Sequence, residues 1–415
     1  MSVRSFGSFD VDLTTGELRR HRTRVKLQPI LAKLLVELIA RPGELISRDD
    51  LARRLWPDGI FVDYENNLNN AVARLRSLIG FRWIETLPKR GYRFRKMKVR
   101  GARRPDPAAE RERQRARHFW NRTTAASLAR SIDAHRRAVE IDPDHVLAHA
   151  GLADAFILSG DEILGGMNPR EALSEAEAAA RKALAMDGDC SEALAALGVV
   201  AWRLRWDWKS AERLLRASIA IRQDYPTAHL YYCWLLQARG RRREAEAEAM
   251  RAFELDPSSP FVCTNVGWML YTGRRYSDAI VHMRDTLALD EYYAMARLPL
   301  GLSLQQAGRA DEAVGQLAYG AMLAGSDARY YRAALGHAVA ARDGSAKTSI
   351  VLGESAAFDR AMVHLGAGNR DAAMDCLEQA LAEGSSHLSY LYADPMFDCL
   401  RGQRRFQRIT RSIGL

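Results

Sequence analysis

Two hydrophobic rhythms divide the chain. In the first hundred residues, apolar positions alternate with polar ones and then switch to helical spacing. Beyond residue 118 the helical rhythm holds almost to the end. Residues 5–12, 17–20 and 24–27 alternate, and the turn-forming stretches 14–16 and 21–23 separate them. This predicts a small antiparallel sheet. Pro29 suits the first turn of a helix whose apolar stripe is Leu31, Leu34, Leu35, Leu38 and Ile39, and Arg41-Pro42-Gly43 stops it. Ser47-Arg48-Asp49-Asp50 has the form of a capping box and opens a second helix that ends near Trp56-Pro57. Asp63 can cap a third helix running to about Ile79. Its apolar face is Leu68, Val72, Leu75 and Ile79, and its opposite face is Asn66, Asn67, Asn70, Ala73 and Arg74. Residues 83–94 read as a β-hairpin with Lys89-Arg90-Gly91 at its tip.

The second rhythm is a repeat. Apolar residues that end helices recur at Ile141, Met186, Ile221, Leu255, Leu289 and Leu323, and the last three intervals are each 34 residues. Small residues recur where paired helices must approach: Gly198, Gly267 and Gly301 in first helices, and Ala211, Ala245, Ala279 and Ala313 in second helices. The first interval is 45 residues, which implies an inserted loop near residues 161–169. After Ala324 the pattern degrades, with one truncated unit around residues 344–353 and another readable at 358–382.

Charge separates the same two regions. Residues 1–100 hold 21 Lys and Arg against 11 Asp and Glu, so the whole net charge of +10 sits there and the remainder is balanced. A compact basic module is the electrostatic footprint of polyanion binding. Asn pairs bidentately with adenine and Arg with guanine, so a helix that is apolar behind and Asn/Arg-rich in front suits the major groove. A basic hairpin beside it suits the backbone or minor groove. Residues 101–117 are charged and poor in apolar side chains, and read as a linker that runs into an exposed helix.

The stretches FGSFDVDLTTGELRR, PGELISRDDLARRLWP, NNLNNAVARLR and ETLPKRGYRF make residues 5–97 resemble the OmpR/PhoB-type winged-helix effector domain. The resemblance implies DNA contacts from Asn66, Asn67, Asn70, Arg74 and Arg76 on the recognition helix. It implies wing contacts from Arg90 and Arg93, beside the basic tip residue Lys89 that also reads as DNA-binding, and an RNA polymerase contact through the loop from Trp56 to Tyr64. The family's receiver domain has no counterpart here, so phosphoaspartate control is not expected. Gly80-Phe81-Arg82 alone connect helix to wing, several residues fewer than the family pattern. The 34-residue period, with IDPDH and LDPSS closing second helices, makes residues 118–385 resemble tetratricopeptide repeats. Such repeats stack into a superhelix with a concave groove lined by first helices. Counting from the small residues, that groove includes Trp202, Trp234, Thr264, Trp268 and Tyr271, which suits capture of a protein, a peptide or a small ligand.

Candidate chemistry is sparse. GSAKTS at residues 344–349 lacks the glycines of a phosphate loop, and His145 and His149 have no third metal ligand at useful spacing. The five cysteines show no C-x-x-C spacing and read as buried thiols, and no apolar run spans a membrane or forms a secretory signal. The expected protein is mainly α. A winged helix-turn-helix of mixed α+β structure (1–100) leads through a charged linker (101–117) to a tetratricopeptide solenoid with degenerate C-terminal repeats (118–415). It is expected to be a cytoplasmic, non-enzymatic regulator that reads double-stranded DNA in sequence-specific fashion, without cofactor, metal or membrane, and whose repeats sense a partner. The alternative is a repeat scaffold whose winged helix has lost DNA binding.

Overall fold

The computed structural model describes residues 3–6, 9–20, 23–56, 64–80, 83–88, 90–95, 105–164, 166–325, 328–343 and 356–415. Two compact units divide the chain, Met1–Arg104 and Pro105–Leu415.

In the first unit, strands β1 (Val3–Phe6), β2 (Phe9–Asp12), β3 (Leu18–Arg20) and β4 (Thr23–Val25) form an antiparallel sheet in that order. Residues 5–12 thus belong to two strands, not one. Phe6 pairs with Phe9 and their rings stack 5.3 Å apart. A two-residue interval between paired strands leaves no break in an apolar–polar count, so sequence alternation runs through it. Helix α1 (Pro29–Ala40) buries all five residues of its expected stripe. Ser47 caps α2 (Arg48–Leu55): its Oγ accepts the Asp50 N–H at 3.1 Å and donates to the Asp50 carboxylate at 2.7 Å. Helix α3 (Tyr64–Ile79) buries Leu68, Val72, Leu75 and Ile79.

A second sheet has the order β5 (Leu45–Ser47), β7 (Gly91–Phe94), β6 (Ile84–Leu87). The hairpin β6–β7 was expected; β5 was not, because three residues cannot show an alternation. Gly91 sits at φ +150°, and a Cβ there would lie 2.1 Å from the Ile46 carbonyl oxygen. The wing therefore packs on β5 through a position that only glycine fills.

The second unit is built of helix pairs: α4 (Pro107–Trp120) with α5 (Ala125–Ile141), α6 (Val146–Ser159) with α7 (Pro169–Met186), α8 (Ser191–Arg205) with α9 (Trp208–Ile221). The series continues with α10 (Pro226–Ala238) and α11 (Arg242–Leu255), α12 (Pro260–Thr272) and α13 (Tyr276–Leu289), α14 (Ala294–Gln306) and α15 (Ala310–Ala324). The small residues sit where the pairs meet. A Cβ on Gly198 would lie 2.6 Å from Leu215 Cγ, and one on Gly301 2.5 Å from Leu317 Cγ. Ala211, Ala245, Ala279 and Ala313 are buried. First helices also pack on the first helices of adjacent pairs, as α8 does on α6 and α10, which places them on the inner face of the curve.

The expected linker contributes most of α4. Ala109, Ala116, Phe119 and Trp120 are buried, and Ser131 Oγ donates to the Ala116 carbonyl at 2.9 Å. Two alanines and two terminal aromatics among the four arginines of the helix are too sparse a stripe to stand out from the charged residues around them.

After α15 come α16 (Arg329–Asp343), α17 (Ala357–Gly366) and α18 (Arg370–Glu383). The truncated unit and the phosphate-loop-like GSAKTS lie outside the described residues. The last thirty residues are not a degenerate repeat. Two short 3-10 helices, Ser386–Tyr390 and Pro395–Leu400, lead to α19 (Arg404–Ser412), and this strap lies along the inner face. Tyr390 packs edge-on against Trp202 of α8, and Trp208 Nε1 donates to the Ile413 carbonyl at 2.8 Å. Cys190, Cys233, Cys263 and Cys376 are buried, but Cys399, on the strap, is exposed. Among the described residues no helix is long and apolar enough to cross a membrane, and no group of His, Cys, Asp and Glu is placed to hold a metal.

Candidate nucleic-acid interface

The outer face of α3 presents Asn66, Asn67, Asn70, Ala73 and Arg74, all exposed, opposite its buried stripe. Arg74 has one long contact, Nη1 to Gln28 Oε1 at 3.4 Å. Asn70 and Arg74 lie one turn apart, so their side chains leave the same face. At the wing tip Arg90 is exposed. Lys89 and residues 57–63 of the loop from Trp56 to Tyr64 lie outside the described residues.

Two of the residues assigned to DNA are engaged within the domain. Arg76 is half-buried; its Nη2 donates to the Ile84 carbonyl and to Thr86 Oγ1, both at 2.7 Å. It ties the recognition helix to the first wing strand. Arg93 pairs with Glu85 across the hairpin at 2.7 Å and stiffens it. A further residue, Asn69, does similar work. Its Oδ1 accepts the Tyr92 hydroxyl at 2.7 Å and Arg48 Nη1 at 3.1 Å, and the Arg48 guanidinium lies 5.2 Å from the Tyr92 ring centroid. Helices α2 and α3 and strand β7 thus meet at one polar joint. The sequence grouped Asn69 with no face, since it lies beside the Asn66–Asn70 stripe.

In the repeat unit the five expected groove residues lie along the inner face, but the strap covers it. Trp202, Thr264 and Tyr271 are fully buried, which removes them from an outside partner. Trp202 is stacked with Trp208, and the Tyr271 hydroxyl donates to Asp394 Oδ1 at 2.7 Å. Trp234 and Trp268 are half-buried and line a cavity beneath the strap. The expected insertion meets the strap from the other side. Asp161 pairs with Arg203 at 3.1 Å and faces His387 at 3.8 Å. Glu162 accepts from Ser385 Oγ, Ser386 N and Ser386 Oγ at 2.8–3.0 Å. Burial works against charge on Asp161, but Arg203 and His387 outweigh it and draw its pKa down to about 2. Burial likewise opposes charge on His387, and Glu162 and Asp161 overcome it and hold the imidazole above its usual value.

Residues 22–94 match the family described as "Transcriptional regulatory protein, C terminal". The N-terminal unit is an OmpR/PhoB-type regulatory domain. It is 38% identical over 93 residues to the transcriptional regulatory protein CseB of Streptomyces coelicolor, a match covering 22% of this chain and 39% of that protein. It is 33% identical over 75 residues to the phosphate regulon transcriptional regulatory protein PhoB of Rhizobium meliloti, covering 18% and 33%. The chain therefore spans under two fifths of the length of these relatives. Over 92% of its length it resembles in fold the crystal structure of the APC/C hetero-tetramer Cut9-Hcn1, at TM-score 0.50 and 14% identity, covering 63% of that chain. The rest of the chain, from Pro105, has a tetratricopeptide-like solenoid fold. In this OmpR/PhoB-type domain Arg76 and Asn69 hold the third helix to the wing strands.

Proposed function

We propose that the chain is a sequence-specific DNA-binding transcription regulator whose repeat domain receives the controlling signal. The observation that carries this reading is the exposed row Asn66, Asn67, Asn70 and Arg74, backed by a fully buried apolar stripe and braced to a wing. Asn70 and Arg74 read base edges, Asn66 and Asn67 flank them, and Arg90 and Lys89 lie on the phosphate backbone. Arg76 and Arg93 serve DNA indirectly, by fixing where helix and wing stand. The loop from Trp56 to Tyr64 is assigned to RNA polymerase by the family resemblance alone. This function belongs in the cytoplasm and requires no catalysis, cofactor or membrane.

Selection of bound sequences from a random DNA pool with the full chain tests the reading. It should return one enriched motif, and Asn70→Ala and Arg74→Ala should each relax one or two of its base pairs, by about 1–3 kcal/mol of discrimination. Affinity should fall with salt at a log–log slope of about −0.9 per phosphate contact, and Lys89→Ala should flatten that slope by roughly one unit. Recovery of no motif would favour the scaffold alternative.

A further inference from the structure

The inner face of the array is closed by two segments that are not repeats: the insertion between α6 and α7, and the C-terminal strap. Between them and α10, α12 and α14 a cavity of about 100 Å³ remains. An engineered apolar cavity of roughly 150 Å³ accepts benzene; this one is smaller but partly open, so an aromatic ring can enter it with part of the molecule reaching the mouth. Its walls are strongly aromatic, with Trp234, Trp268, Phe261, Tyr330, Phe358 and Tyr390 among them. The charged groups in its lining are Asp161, Asp394 and His387, and no Lys or Arg lines it.

These charges are not equivalent. His387 is balanced by Asp161 and by Glu162 behind it, and Asp161 is paired with Arg203. Asp394 has no such partner. Both of its side-chain hydrogen bonds land on Oδ1, from the Tyr271 hydroxyl at 2.7 Å and the Met396 N–H at 2.9 Å. Its Oδ2 accepts none among the described residues, although Asp394 is 94% buried. The nearby Arg274 is committed to Asp398, at 2.6 Å. This oxygen, left without a donor at the wall of a cavity rich in ring faces whose quadrupoles attract cations, is open to a donor from within the cavity.

We propose that this cavity is a binding site for a small aromatic amine in its ammonium form. The ammonium donates to Asp394 Oδ2, and its body lies against Trp234, Trp268 and Phe261. An alcohol of the same shape offers one weaker donor, and a carboxylate meets Asp394 as a like charge. Consistent with this, burial raises the Asp394 pKa even though Met396, Tyr271 and the more distant Arg274 charge pull the other way. The assignment rests on the reading of the repeat domain as the signal-receiving half. It gives that half a ligand class and a place. The strap that forms one wall of the cavity also carries Asp394, so the ligand and the closure of the groove share a residue.

The test uses the full chain and three probes of one shape: phenethylamine, 2-phenylethanol and phenylacetate. Binding is read by tryptophan fluorescence, since Trp234 and Trp268 line the cavity, and by the shift in melting temperature. Phenethylamine should bind about tenfold more tightly than the alcohol, with phenylacetate weaker still. Asp394→Asn keeps an oxygen for Tyr271 and Met396 while removing the charge. It should weaken phenethylamine about tenfold and leave the alcohol unchanged. Equal or tighter binding of the alcohol or the acid overturns the amine assignment, yet keeps a ligand-receiving repeat domain. Binding of none of the three overturns the cavity as a site. In that case the receiving role is judged separately, by whether removal of residues 386–415 alters occupancy of the selected DNA motif. The probe comparison on the unaltered chain decides the matter even if the variant fails to fold.

Discussion

Glu162 accepts the backbone N–H of Ser386 at 2.9 Å, across 224 positions of sequence. The same carboxylate takes both neighbouring serine hydroxyls, so one inserted loop residue holds the entry to the strap. Burial opposes its charge, but His387 and the two serines prevail and lower its pKa. Glu162→Ala leaves these donors and the His387 charge without their partner and should cost ~2–4 kcal/mol in urea unfolding of the full chain. Glu162→Gln, which retains one acceptor, should fall between. A Glu162→Ala chain as stable as the parent would mean that the strap is held elsewhere.

Arg76 and Asn70 are expected to separate stability from reading. Arg76→Ala removes the donors to Ile84 and Thr86 and should destabilise the N-terminal unit by ~1–2 kcal/mol. It should weaken binding to every DNA sequence, because the wing loses its brace. Asn70→Ala should stay within ~0.5 kcal/mol of the parent and change sequence preference instead. Paired thermal melts and motif selections check both, and reversed phenotypes would reject the division of roles.

Close approach of paired helices predicts an overpacking penalty. At Gly198 an added methyl would lie 2.6 Å from Leu215 Cγ and 3.4 Å from the Ala211 carbonyl oxygen. Gly198→Ala should therefore cost ~1–3 kcal/mol despite alanine's better helix propensity. Gly315, on a second helix with nothing near its Cβ position, should instead gain from the same change by a few tenths to ~1 kcal/mol. Chemical denaturation of the two variants compares them directly.

Asp154 makes stability depend on pH. Its carboxyl is buried beneath Tyr225 and Tyr231, whose hydroxyls donate to it at 3.0 and 3.2 Å. Burial raises its pKa from 3.8 to about 7, with Arg117 and Tyr225 offsetting part of the rise. The folded state thus holds a proton that the unfolded chain releases near pH 4. This contribution is full below that value, and is lost as pH rises to about 7. The parent should lose up to roughly 4 kcal/mol from this group between pH 4 and 8. Asp154→Asn should flatten that part of the profile. A variant whose melting temperature tracks the parent at every pH would show that Asp154 does not control it.

The sequence disclosed what local chemistry determines. The stripe Leu68, Val72, Leu75, Ile79, the Ser47 cap and the glycines at helix crossings are written in neighbouring residues, and each stands where spacing placed it. The 45-residue interval revealed that an insertion exists, but not its purpose, since Glu162 and Asp161 act on Ser386 and His387 far along the chain. The strap was illegible for a related reason. Its 3-10 turns carry no 3.6-residue period, and its apolar residues Tyr390, Phe397 and Ile413 are spaced to fit the array rather than one another. Arg76 was visible as a basic residue on a recognition helix, yet its direction depends on where β6 passes. The open groove was the natural inference from the repeats alone, and the strap is what closes it.

The strap also changes how the array comes apart and how it is made. Isolated repeats fray from their ends, because each touches only its neighbours. Here Trp208 to Ile413 and Arg203 to Ser386 fasten one pair to the final segment, and Tyr271 to Asp394 fastens another. The array should therefore melt as one cooperative block. During synthesis, however, the block is completed only after residues 386–415 have been made. Until then Trp202, Trp234 and Trp268 face solvent, so an unfinished or clipped chain presents a long aromatic trough. A chain cleaved ahead of residue 386 would therefore expose apolar surface of the kind that chaperones and proteases act on.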